Sequence, residues 1–171
     1  LTFAITVLVD LTVAIEVGMI MASFLFMKQM AEATHIKVIQ DDLDDADKND
    51  AMDEGYTVVV PVGVQVFEIN GPLFFGMVDK FYNSIDLGAK SAKVIILRMR
   101  NVPYMDAGGL HALDVAYGRC KRRKINFLIS EIHDQPLEVL SHSGLINDIK
   151  SSNVFPDFES AVAAAKQRLT V

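Results

Sequence analysis

The sequence predicts an α/β fold, a mixed or parallel β-sheet with packed helices, preceded by a transmembrane helical segment. From residue 56 onwards, short runs of β-branched and aromatic residues alternate with stretches of helical periodicity. Such alternation is typical of strands joined by crossover helices. An almost unbroken apolar run occupies residues 1–27, and an acidic stretch separates it from the rest of the chain.

The apolar segment at the N-terminus is predicted to lie in a membrane. As one helix it would be about 40 Å long, whereas the hydrocarbon core of a bilayer is about 30 Å thick. Only Asp10 and Glu16 interrupt it, and we expect them to face other helices or water, as packing and capping groups or in an ion path. We assign residues 1–30 to a transmembrane segment. The alternative is a buried helix of a soluble protein.

Residues 31–55 are predicted to be an acidic linker. The stretch "DADKNDAMDEGY" resembles the first half of an EF-hand calcium loop. However, Asp50 stands where the loop needs glycine, and Tyr56 stands where it needs a bidentate glutamate. One cysteine and four scattered histidines give no zinc spacing elsewhere. We therefore predict no metal site and no cofactor.

The remaining residues, 56–171, are predicted to form one compact domain. Two short strands, 56–61 and 64–70, are joined by Pro-Val-Gly, as in a hairpin. A helix is expected to begin at Gly71-Pro72 and to end at Gly88. The nearly continuous apolar run 93–99 indicates a central strand that is covered on both faces.

The second half of this domain repeats the pattern. A helix follows the "MDAGGL" turn, and 125–130 is the next buried strand. Pro136 lies at the start of a short helix that ends near Gly144. Residues 153–155 are a candidate edge strand, and Asp157 is the expected cap of the last helix.

Four stretches together resemble the C-terminal end of a sulfate permease (SulP) family transporter: "DLTVAIEVG", "FEINGPLFFG", "VIILRMRNVPYMDAGGL" and "HDQPLEVLSHSGL". The domain 56–171 resembles the cytoplasmic STAS domain of that family. The resemblance implies a secondary-active carrier of inorganic anions such as sulfate, located in the inner (plasma) membrane. It also implies a homodimer in which the STAS domain serves regulation, assembly and partner binding.

Partners are implied by the same resemblance. The first is the upstream transmembrane domain of the same protein, which would hold the substrate site. Some relatives associate with acyl carrier protein or with nucleotides, so an acyl-carrier-protein-like protein or a nucleotide is a further candidate. The transported anion and the coupling ion are not indicated by these residues.

The alternative function is a stand-alone STAS regulator of the anti-sigma factor antagonist type. In those proteins a strand-to-helix turn reads Asp-Ser-Ser-Gly, and its second serine is phosphorylated. Here Asp106 matches the Asp, Ala107 the first Ser, Gly108 the acceptor and Gly109 the Gly. Paired glycines would allow a tight backbone turn and close approach of a partner. We predict a regulatory or partner-docking turn without a phosphorylation switch; a capped helix start with no ligand is the other interpretation.

Other chemistry is weakly supported by the sequence. The basic cluster "CKRRK", 120–124, is either a solvated helix end or a contact for anionic lipid or an acidic partner. A net charge of −6 weighs against nucleic-acid binding. No nucleophile stands at a useful spacing from Asp106 and His111, so we predict no catalytic residues and no enzyme activity.

Overall fold

A computed structural model of the chain describes residues 11–33, 35–39, 58–74 and 92–169. The chain divides into two units, Leu1–Ala33 and Thr34–Val171, which are described separately. Helix α1, Leu11–Ala33, is the described part of the first unit. Asp10, the acidic stretch 41–54 and residues 75–88 of the predicted helix lie outside the described residues. The predicted start of that helix at Gly71-Pro72 is wrong, because residues 72–74 are not helical and Leu73 forms a parallel bridge with Met105.

Most large apolar side chains of α1 are exposed. Ala14 is buried, and Val17 and Gly18, one turn further along the same side of the helix, are partly buried. Among the residues that the structure describes, no helix combines the length and apolarity required of a membrane span. The exposed set comprises Val13, Ile15, Met19, Ile20, Met21, Phe24, Leu25 and Phe26.

The second unit is built on a five-stranded mixed sheet in the order β1-β2-β3-β4-β5. Strands β2 to β5 are parallel, and β1 is antiparallel to β2 at one edge. Both the parallel pairing and the alternation with helices were predicted from the sequence and are confirmed. The strands are β1 (His35–Ile39), β2 (Val64–Asn70), β3 (Val94–Asn101), β4 (Asn126–Ser130) and β5 (Val154–Phe155).

The predicted hairpin is wrong. Strand β1, which lies in the stretch assigned to the linker, pairs with β2 from His35 opposite Asn70 to Ile39 opposite Val66. Residues 58–60 form no strand. Val58 and Val60 instead pack against an apolar cluster on one face of the sheet, which explains their strand-like alternation without a hydrogen-bonded ladder.

Helices cover both faces of the sheet. One face carries Phe67, Leu97 and Ile129, which pack with residues of α2, α3 and α4. The opposite face carries Val66, Ile96 and Leu128, which pack with α5. Since each fully buried apolar side chain contributes about 2 kcal/mol, both layers stabilise the central strand β3. The helices are α2 (Ala107–Arg122), α3 (Asp134–Ser143), α4 (Leu145–Ile149), a 3-10 turn (Ser151–Asn153) and α5 (Phe158–Leu169).

The predicted ends of the later elements are confirmed. Helix α3 ends at Gly144, whose φ of 79° is in the left-handed region that favours glycine. Asp157 accepts a hydrogen bond from the backbone N–H of Ser160 at 2.7 Å, as expected of the cap of α5. These hydrogen bonds hold the pKa of Asp157 below its usual value.

Candidate functional site: the β3–α2 turn

The turn that links β3 to α2 lies where the carboxyl ends of three parallel strands meet. We call this side of the sheet the turn edge; it comprises the strand ends Asn70, Asn101 and Ser130, and the turn 102–109. Ligands of open parallel sheets usually bind at such an edge. The contacts at this edge therefore determine which of the predicted site residues are accessible to a ligand.

Asp106 caps helix α2, as predicted. Its backbone is extended, with φ −98° and ψ −176°, and its carboxylate accepts a hydrogen bond from Gly109 N at 2.7 Å. The first N–H groups of a helix are free donors at a positive dipole end. Asp106 therefore supplies the negative charge that this helix start favours.

Gly109 is required because the chain's own backbone lies against it. The residue is buried, and a Cβ atom added there would lie 2.1 Å from the carbonyl oxygen of Leu73. Leu73 also donates from its N–H to Tyr104 O at 2.9 Å and accepts from Asp106 N at 3.2 Å. The close approach that we expected of a partner is thus made by Leu73, and Gly109 is not available to one.

A second segment holds the turn from the other side. The side chain of Gln135 accepts a hydrogen bond from Met105 N at 2.8 Å and donates to Met105 O at 3.2 Å. Close by, His133 Nε2 lies 2.6 Å from Arg100 O. No local sequence pattern indicated this contact of Gln135, which lies in the stretch "HDQPLEVLSHSGL".

A network of partly buried charges also lies at the turn edge. The guanidinium of Arg98 forms two hydrogen bonds with the carboxylate of Glu131, one of them from Nη2 at 3.1 Å, and lies 3.6 Å from Glu68. Arg100 Nε is 3.8 Å from Glu68 Oε1. The hydrogen bond with Glu131 raises the pKa of Arg98, and the ring of Phe158 lies 4.8 Å from the guanidinium carbon.

This network neutralises its own cations. Both arginines of β3 have carboxylates beside them, because a partly buried charge without a partner would be costly. Glu131 reaches Arg98 from a left-handed backbone with φ 56°, a conformation that is uncommon for a residue with a side chain. The only sequence signal was charged residues at alternate positions in otherwise apolar strands.

The surface of the turn is small and contains one exposed aromatic residue. Asp106 and Ala107 are exposed, Gly108 is partly exposed, and Tyr104 beside them is 61% exposed. Glu16 is also exposed, but it lies on α1 in the other unit. In the described ranges, no three His, Cys, Asp or Glu side chains are grouped as a metal site would need.

The family follows from a comparison with known domains. Residues 56–161 match the STAS domain family. The chain belongs to the STAS domain family. The candidate sulfate transporter YvdB of Bacillus subtilis is 32% identical over 155 residues, which are 90% of this chain and 27% of that protein. The chain thus spans about a quarter of the length of this relative.

Solved structures show the same STAS fold. A sulfate transporter family protein from Wolinella succinogenes is 38% identical, with a TM-score of 0.63 over 67% of this chain and 93% of that one. The murine anion transporter Slc26a9 matches in fold at 21% identity, with a TM-score of 0.72 over 97% of this chain and 27% of that one. An anti-sigma factor antagonist from Mycobacterium paratuberculosis matches in fold at 14% identity, with a TM-score of 0.58 over 78% and 95%.

Proposed function

We propose that this chain is the C-terminal part of a secondary-active anion carrier of the sulfate type, located in the inner (plasma) membrane. In this proposal, residues 1–30 are the end of the transmembrane domain, and the STAS domain is cytoplasmic and regulatory. The carrier would be a homodimer. This fragment would not transport by itself, because the substrate site would lie upstream.

The observation that carries the proposal is the row of large exposed apolar side chains on α1, which precedes the STAS domain in the sequence. Large side chains such as Ile20, Phe24 and Leu25 are 57–64% exposed. Water is an unfavourable surrounding for such a helix, whereas lipid or neighbouring membrane helices would cover every side. Similarity to YvdB over 90% of this chain supports the same assignment.

For the STAS domain we propose partner docking at the β3–α2 turn, without a phosphorylation switch. The backbone there is held by Leu73 on one side and by Gln135 on the other. A surface held in this way loses little conformational freedom when it binds. Tyr104 offers an exposed amphipathic side chain of the kind that is enriched in interfaces.

The membrane assignment is tested by alkaline carbonate extraction of membranes from cells that express the full chain. We expect the chain to stay in the membrane pellet. Ile20→Arg should release a large part of it, because arginine at the centre of a membrane helix costs about 3 kcal/mol. Val62→Arg is the matched control, since Val62 is 99% exposed in the STAS domain. Complete release of the unmodified chain as a monomer would refute the carrier.

The regulator alternative is tested by phosphorylation. A kinase that acts on anti-sigma factor antagonists should not label the turn, since Ala107, Gly108 and Gly109 have no hydroxyl group. Gly108→Ser restores an acceptor at the matching position and serves as the positive control. Phosphate mapped to the turn of the unmodified chain would contradict this part of the proposal.

A further inference from the structure

The amino ends of the parallel strands, at the end of the sheet opposite to the turn edge, carry exposed cations. We call this end the basic edge; it lies at the amino ends of β2, β3 and β4 and comprises Val59, Val62, Lys93, Lys121, Arg122 and Lys124. All four cations are exposed. Val62 is 99% exposed and Val59 is 65% exposed.

Backbone hydrogen bonds place the turn before β2, Lys93 and the start of β4 side by side. Lys93 N donates to Gly63 O at 2.9 Å, and Asn126 N donates to Lys93 O at 3.0 Å. The turn before β2, the residue before β3 and the residues before β4 thus form one continuous row. Neighbouring strands are about 4.8 Å apart, so the row is about 10 Å wide.

The cations of the basic edge lack carboxylate partners in the described part of the chain. No ion pair within 4.0 Å joins Lys93, Lys121, Arg122 or Lys124 to a described acidic residue. Lys121 and Arg122 lie in the last turn of α2, where cations favour the helix dipole. Lys124 follows the C-cap of the same helix, and its N–H donates to Lys121 O at 3.2 Å, so the dipole favours it as well. Lys93 lies in no helix, so the dipole does not account for it.

The chain contains an acidic segment, whose charge is opposite to that of the basic edge. Residues 41–54 include eight acidic residues and one lysine. Outside this segment, 15 basic residues face 14 acidic ones, so the segment accounts for the whole negative net charge of the chain. It also contains Leu43 and Met52, which match the apolar Val59 and Val62.

The described residues on either side of this segment lie near the basic edge. Strand β1 ends at Ile39 opposite Val66, near the amino end of β2. The chain is next described at Val58, which packs beside the same end of the sheet and leads into the turn before β2. The 18 residues between them could extend about 60 Å, far more than the width of the edge. Tethering at both ends keeps the effective concentration in the millimolar range.

We propose that the basic edge is the docking surface of the chain's own acidic segment, residues 41–54. Charge complementarity and the double tether favour this occupant over a separate acidic partner or an anionic lipid surface. The contact is electrostatic and therefore weakens with salt. While the acidic segment is bound, other anionic ligands would reach the basic edge only by competing with it.

Zero-length carbodiimide cross-linking of the full chain in detergent micelles tests this contact, with peptide mapping by mass spectrometry. At about 20 mM NaCl we expect cross-links from Lys93, Lys121 and Lys124 to the acidic segment. Their yield should fall about fivefold at 1 M NaCl, where charges more than about 3 Å apart are screened. Tyr104→Lys places a matched amine at the turn edge, and that amine should cross-link at least about fivefold less.

Arg122 allows a test that leaves the reactive amines unchanged. Arg122→Glu should lower the cross-link yield at the three lysines about fivefold, whereas Arg122→Lys should preserve it. Equal yield from the amine at position 104, or a yield that salt leaves unchanged, would overturn the proposal. Mixing isotope-labelled and unlabelled chains distinguishes the segment's own edge from that of another copy, and cross-links found only between copies would also overturn it. So would protection of these lysines by phosphatidylglycerol vesicles in place of the cross-links.

Discussion

At the turn edge, the arginines of β3 lie against Glu68 and Glu131, whereas at the basic edge the cations have no carboxylate beside them in the described chain. The two edges belong to the same parallel strands, so the difference does not come from the fold class. The turn edge is held by packing and by specific hydrogen bonds. Substitutions there should change stability, and substitutions at the basic edge should change only electrostatic contacts.

Among substitutions at the two edges, Gly109→Ala is expected to cause the largest loss of stability. Because the added methyl group would overlap the carbonyl of Leu73, we expect the free energy of unfolding to fall by about 3 kcal/mol. Gly118→Ala in the same helix is the matched control, since nothing lies within 4 Å of its Cβ position. It should raise stability by about 1 kcal/mol. Chemical denaturation followed by circular dichroism measures both, and equal effects would show that α2 and Leu73 separate easily.

Gln135→Ala removes both hydrogen bonds to Met105. Since Met105 is buried, its N–H and carbonyl lose their partner, and we expect a loss of about 2 kcal/mol. Glu138→Ala, on an exposed position of the same helix, should change stability by less than about 0.5 kcal/mol. Similar unfolding midpoints for the two variants would mean that Gln135 does not hold the turn.

Asp106→Ala removes the cap of α2. We expect a loss of about 1 kcal/mol, the usual contribution of an N-cap side chain. Asp106→Asn should retain most of the stability, because asparagine caps helices about as well as aspartate does. If asparagine proves as destabilising as alanine, the negative charge matters more than the hydrogen bond. Thermal unfolding of the three proteins side by side distinguishes these outcomes.

The cap of α5 gives a smaller, pH-dependent effect. Hydrogen bonds from the backbone N–H and hydroxyl of Ser160 lower the pKa of Asp157 in the folded state. The resulting stabilisation is fully present above about pH 4, the pKa of an unfolded aspartate, and is lost as pH falls through the lowered value. The stability of the unmodified chain relative to Asp157→Asn should thus be greater at pH 6 than in acid, where Asp157 becomes protonated. A difference that is unchanged in acid would contradict this assignment.

The smallest change in stability is expected from Arg122→Glu at the basic edge. This side chain is exposed and has no ion pair to a described residue, so the free energy of unfolding should change by less than about 0.5 kcal/mol. The denaturation midpoint measures it. A loss comparable to that of Gln135→Ala would show that the basic edge also contributes to the stability of the fold, as the turn edge does.

Local signals in the sequence predicted much of the fold. The apolar run of β3, the N-cap Asp106, the helix-ending Gly144 and the cap Asp157 each depend on residues within a few positions of one another. Periodicity and capping report such short-range preferences directly. These parts of the fold were therefore predicted correctly.

Contacts between distant parts of the chain were not predicted. Strand β1 pairs with β2 across about 30 residues, and Arg98 meets Glu131 across 33. Local periodicity predicts neither contact, because both depend on the order of the strands in the sheet. The same reason applies to Gln135, whose contact with Met105 spans 30 residues. It also applies to Gly109: turn geometry predicted a glycine there, but the contact that requires it is with the distant Leu73.

The exposed part of the β3–α2 turn has a further consequence for the cell. Asp106 already occupies the helix start, and Gly108 offers no atom for covalent modification. At the start of α2, therefore, neither Ala107 nor Gly108 can be phosphorylated. In the proposed partner docking, occupancy of this helix start would therefore follow the concentrations of the partner and of this protein.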